Sequence, residues 1–204
     1  MNIESLGTLA CIISLLLCIS FIDSKQGDNC PRQCQCNRGM WMCGNQNITE
    51  WTLQDLVLEG DPTKAIELDL KNNLIAEFPS GAFVGFKQLK EINLGANFLT
   101  KPPKNISQFI PSLEKLQLVT NRISSINKHD FLGYGSINYL DIFGNNITEI
   151  HPYTFENIPE LRKLFAEGNF LKILEKGIFA GLNNLQWVTS VSYTHLTLPT
   201  IYSV

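Results

Sequence analysis

Past residue 25 the chain holds no apolar run long enough to cross a bilayer, no block of like charges and only three histidines. Lysine and arginine number 16 against 19 acidic residues, for a net charge of −3 over 204 residues. Without a basic stripe, nucleic acid is not an expected partner. No phosphate-cradling loop and no metal-ligand cluster appears, so no cofactor or metal is expected either. The histidines are scattered: His129 stands beside Asp130, His151 precedes Pro152, and His195 lies near the end. No nucleophile, acid and base converge on them, so His129 and Asp130 are taken as an ordinary solvated pair and the chain as no enzyme.

What the sequence does have is a period. Asn73, Asn97, Asn121, Asn145 and Asn169 stand 24 residues apart. Each follows apolar residues at minus five and minus three and precedes one at plus two. Aligned on the asparagines, the triplets are Leu68, Leu70, Ile75; Ile92, Leu94, Leu99; Leu116, Leu118, Ile123; Leu140, Ile142, Ile147; and Leu164, Ala166, Leu171. Alternating apolar residues bury one face of a short strand and leave the other in water. One copy cannot bury its own apolar edge, whereas stacked copies form a continuous core. The asparagine amide, with two donors and an acceptor, can satisfy turn backbone groups that no sheet partner reaches. A second column, Phe83, Phe131, Phe155 and Phe179, keeps the same period and is expected to fill the back of each coil. The second repeat places Ser107 there, downstream of Pro102-Pro103, so its back is expected to be irregular.

This pattern resembles the leucine-rich repeat, L-x-x-L-x-L-x-x-N-x-L. The resemblance implies an α/β solenoid, a horseshoe with a parallel β-sheet on its concave face. Residues 61–188 would then hold five complete repeats and a truncated sixth.

The two ends read differently. Residues 6–22 are apolar and are followed by Asp23, Ser24, Lys25 and Gln26, which suits a signal peptide over residues 1–24. Glu4 and the length of the run leave an uncleaved amino-terminal anchor as the alternative. Residues 28–60 contain Cys30, Cys34, Cys36 and Cys43; an even count in an exported protein reads as disulfides, and spacing alone allows three connectivities. A zinc site fits poorly, because the pairs lack finger spacing and the compartment is oxidising. C-x3-C-x-C-x6-C opening on Cys30-Pro31 resembles the amino-terminal cap of extracellular leucine-rich-repeat proteins. The resemblance implies that Cys30 pairs with Cys36 and Cys34 with Cys43. At the other end the register fails at Ser190 and Tyr193, and SYTHLTLPT resembles a translated sequencing adapter. Residues 189–204 are therefore expected to be a non-native tail, and membrane attachment through further downstream sequence stays open.

Asn47, Asn105 and Asn146 each open an Asn-x-Ser/Thr sequence and are candidate glycosylation acceptors. Asn146 is the favoured one, since it adjoins an inward-facing asparagine and should point outward. Strand residues facing out of the sheet form three columns. The first is Glu67, Glu91, Lys115, Tyr139, Lys163 and Trp187; the second is Asp69, Asn93, Gln117, Asp141 and Phe165; the third is Lys71, Gly95, Val119, Phe143 and Glu167. Acidic groups gather in the first repeats and aromatics in the last. Tyr139, Phe143, Phe165 and Trp187 are the expected ligand-binding residues, because exposed aromatics anchor protein interfaces. The expected protein is the amino-terminal part of an extracellular receptor or adhesion ectodomain with a protein ligand. A secreted matrix protein is the alternative, disfavoured by the uniform 24-residue period and the lack of a Ser-Gly cluster before Cys30.

Overall fold

The computed structural model describes residues 30–49, 55–56, 58–79, 81–104, 106–173 and 175–189. The signal segment, the tail beyond Thr189 and the acceptor Asn105 lie outside the described residues. The chain is a parallel-strand solenoid of about six turns. Its main sheet has eight strands. They are β1 (Gln35–Asn37), β2 (Met40–Met42), β3 (Glu67–Asp69), β4 (Glu91–Asn93), β5 (Lys115–Gln117), β7 (Tyr139–Asp141), β9 (Lys163–Phe165) and β10 (Trp187–Thr189). Two further strands on the back, β6 (Ser125–Ile126) and β8 (Glu149–Ile150), pair with each other.

Strands β1 and β2 form an antiparallel hairpin, and every later pair is parallel. The hairpin carries both disulfides, Cys30–Cys36 and Cys34–Cys43. Cys34 and Cys43 are buried, and Trp41 of β2 packs edge-on against Phe86 at 5.4 Å between ring centres. The hairpin thus covers the apolar edge that the first coil would otherwise show to water.

Because side chains alternate along a strand, each three-residue strand sends its central residue inward. Leu68, Ile92, Leu116, Leu140 and Leu164 lie in register and are all buried. Phe83, Phe131 and Phe155 fill the back, the last two stacked with ring centres 6.0 Å apart, while Phe179 is only partly buried. The back of the second repeat is built otherwise. Pro102 and Pro103 are buried there, Ile106 and Ile110 supply the apolar bulk, and the Tyr134 hydroxyl donates to the Pro103 carbonyl at 2.5 Å. Burial pushes the Tyr134 phenol pKa well up, so this donor keeps its proton.

The helical part of the fold is small. The described residues contain short 3-10 turns at Pro62–Lys64, Ile106–Gln108 and Thr154–Asn157, and helical residues at Asp55, Leu56, Leu58 and Glu59. One expectation is corrected: Asp130 is not solvated. Its side chain is buried, accepting from the Asn127 backbone N–H at 2.8 Å and lying 3.4 Å from the Lys104 ammonium. His129 beside it is exposed. The carboxylate closes the turn that leads into Phe131, which sets its direction inward and away from the imidazole's solvent.

Candidate protein-binding face

The face is set by what holds the turns beneath it. Asn97 donates to the carbonyls of Leu94 and Gly95 in its own turn and of Leu70 in the coil before, at 2.9–3.2 Å, while its Oδ1 accepts from the Ile75 N–H at 3.0 Å. Asn121, Asn145 and Asn169 repeat this set one coil further each time. Asn73 does the same against the cap, through the Cys43 carbonyl and the N–H groups of Gln46 and Ile48. All five side chains are buried. Each replaces backbone partners that water cannot supply in the core.

The residue before each of these asparagines is left-handed: Asn72, Ala96, Thr120, Gly144 and Gly168 have φ between 51° and 66°. Asparagine and glycine adopt this readily; alanine and β-branched threonine do so at a cost. The bend ends every strand after three residues and turns the asparagine inward.

The outward columns stand in register across the strands. Near the cap they are polar and internally tied. Lys115 reaches Glu91 at 3.0 Å and Lys71 reaches Asp69 at 3.4 Å. Asp69, Asn93 and Asp141 each accept, through Oδ1, from the N–H two residues on, at 2.9–3.0 Å. Three members of the second column are therefore turn-closing groups as well as surface groups.

Further along, the surface turns aromatic. Tyr139 and Phe165 are half-buried neighbours, with ring centres 5.1 Å apart. The Lys115 ammonium lies 5.2 Å from the centre of the Tyr139 ring. The Tyr139 hydroxyl donates to Asp141 at 3.4 Å. Burial, and then the charge of Asp141, raise the Tyr139 pKa; Asp141 itself is raised, chiefly by burial, against the lowering effect of the Phe143 N–H. Phe143, 42% exposed, and Trp187, 57% exposed, flank this pair without ring contact to it among the described residues. The four aromatics thus occupy one end of one face, two touching and two outlying.

The other sequence candidates fall elsewhere. The four cysteines are in the cap, and Asn47 and Asn146 are exposed on the flank. Among the described residues no group of three or more His, Cys, Asp or Glu could hold a metal ion. Sequence reasoning missed the left-handed column and the turn-closing carboxylates. Asn72, Gly144 and Gly168 signal the first; for the second, an Asx residue three before the left-handed position was the available cue.

The sequence model of the Leucine rich repeat family matches residues 63–123 and 111–171, more than half of the chain. The Mus musculus peroxidasin homolog is 34% identical over 94 residues, which are 42% of this chain and 6% of that protein. The solved Drosophila Toll–Spatzle complex contains a chain 28% identical, with a TM-score of 0.59, covering 62% of this chain and 17% of its own. A chain of the TLR13–ssRNA13 complex shares the fold at 24% identity and a TM-score of 0.62, over 78% of this chain and 22% of its own. The chain spans only a small part of each of these relatives. The matched residues carry the 24-residue period and its core asparagines, and the chain belongs to the leucine-rich-repeat family.

Proposed function

We propose that the chain is an extracellular protein-binding module, the amino-terminal part of a cell-surface receptor or adhesion ectodomain. Its ligand is a protein that docks on the concave sheet face. The single observation behind this is the placement of Tyr139, Phe143, Phe165 and Trp187, outward and partly or largely exposed, on a backbone whose polar groups are already used. Aromatics held on rigid strands bury much area at small entropy cost. Two further features support the reading. Disulfides belong to an oxidising compartment. The Toll chain, similar at 28% identity, was solved in complex with Spatzle. A nucleic acid is a poorer fit, because Lys71 and Lys115 on this face each lie against a carboxylate, which leaves Lys163 as its one lysine without an ion pair among the described residues.

The test is an array of secreted proteins and ectodomains probed with the purified chain. Ala substitution of all four aromatics is expected to abolish any binding found while circular dichroism stays unchanged and unfolding stays cooperative. Undiminished binding by that folded variant would refute the docking face.

A further inference from the structure

Two of the three glycosylation sequences occupy corresponding places in the coil, although Asn47 is left-handed at φ 55° and Asn146 is not. The residue after each core asparagine donates its backbone N–H to the coil before: Leu74 to Ile48, Phe98 to Ile75, Arg122 to Leu99, Asn146 to Ile123 and Phe170 to Ile147, at 2.8–2.9 Å. Asn47 precedes Ile48 as Leu74 precedes Ile75, so it heads this column. The column runs along the flank beside the strand ends. Asn47 and Asn146 are exposed in it, and neither side-chain amide has a hydrogen-bond partner among the described residues. Their neighbours in the core are saturated by comparison. Four coil steps separate the two, about 19 Å at the usual spacing between strands.

Between them the flank is hollow. A groove of about 460 Å³ is lined by Asn47 itself and by Asn72, Leu74, Phe98, Thr120 and Arg122, among others. The Arg122 guanidinium carbon lies 4.2 Å from the centre of the Phe98 ring, and the Asn72 amide donates to Asn45. A half-buried aromatic ring capped by a guanidinium, with amide and hydroxyl groups beside it, offers both apolar surface and hydrogen-bond partners to a sugar, which has an apolar C–H face and a hydroxyl rim. A purely apolar occupant would leave those polar walls unmatched.

We propose that Asn47 and Asn146 both carry N-linked glycans, and that the first sugars on Asn47 lie in this groove against Phe98 and Arg122. Each Nδ2 forms a bond to the anomeric carbon of an oligosaccharide carried on a lipid pyrophosphate. The bond from that carbon to the pyrophosphate breaks, the pyrophosphate leaves with the electron pair, and Nδ2 gives up a proton. The flank is then sheathed and closed to protein partners, while the sheet face stays bare. This inference rests on the extracellular reading above.

The test secretes the whole chain from eukaryotic cells with Asn105→Gln in the background. Peptide N-glycosidase acting on denatured protein is expected to remove two mobility steps. One is lost with Asn47→Gln or Thr49→Ala, the other with Asn146→Gln or Thr148→Ala. On native protein the Asn47 glycan should be released several-fold more slowly than the Asn146 glycan, and Phe98→Ala should bring the two rates together. Equal native rates overturn the seat in the groove. Secreted protein with no free thiols and no mobility step overturns the glycans but not the extracellular reading. Protein retained in the cell with reduced cysteines overturns both.

Discussion

Trp41 and Trp187 sit in the same sheet, near opposite ends, and differ by one residue of phase. Trp41 pairs in register with Leu68, in the inward column; Trp187 pairs with Lys163, in the outward one. The first is 3% exposed and the second 57%. A strand has a side-chain period of two, so a single step decides whether the same indole is core or surface. The wider contrast follows the same rule. Near the cap the outward columns are charged and tied to each other, and at the other end they are aromatic and open, above an interior that hardly changes.

Trp41→Ala should cost the most, about 3–5 kcal/mol as for other buried large aromatics, read by denaturant unfolding. A loss under about 1 kcal/mol would mean that the cap is not packed on the first coil. Asn121→Ala should come next, at about 1–3 kcal/mol, because the Leu99 N–H and the carbonyls it serves would be left buried and unpaired. An unchanged melting temperature would remove the asparagines from the account of the interior. Thr120→Asn should gain roughly 0.5–1 kcal/mol, since asparagine tolerates the left-handed bend that threonine resists. If that variant is no more stable, the bend is not strained. Replacing Phe165 and Trp187 by Ala should change stability by only about 0.5 kcal/mol, the usual size for surface positions. Unfolding of that variant would show the outward columns to be core.

The smallest effect concerns Asp141. Burial raises its pKa in the folded chain, so folding favours the protonated acid, and stability is lost as pH rises through that raised value. Asp141→Asn keeps the oxygen that accepts from the Phe143 N–H. It should melt slightly above the parent at neutral pH and equal to it below the ordinary carboxylate range. A parent that melts higher at neutral pH would reverse the sign.

The interior was legible in the sequence because the same chemical demand recurs in each turn. The inward triplets and core asparagines repeat every 24 residues, and a repeating demand leaves a repeating residue type. Where different residues meet one demand, the trace disappears. Ala96 and Thr120 take the bend that Gly144 and Gly168 take, yet nothing in their chemistry announces it. Ile106 and Ile110 do the work of a phenylalanine from other positions, and Asp130 is buried only because Asn127 and Lys104 come to it from the chain around it. The aromatics of the sheet face could be placed by phase alone, but the diagonal contact between Tyr139 and Phe165 on adjacent strands needed the fold.

The asparagine contacts also give the molecule a direction. Among the described residues, the side-chain hydrogen bonds of all five that leave their own turn run back toward the amino terminus. Removing a coil leaves the earlier asparagines their own partners but unpairs the backbone groups that the lost asparagine served, such as the Leu99 N–H, whereas removing the cap strands Asn73 itself. Such a structure is laid like courses of masonry, each bedded on the finished one, in the order in which a ribosome delivers the chain. Hydrogen exchange on truncations made from either side should find protection surviving deletion from the carboxyl side and failing from the amino side.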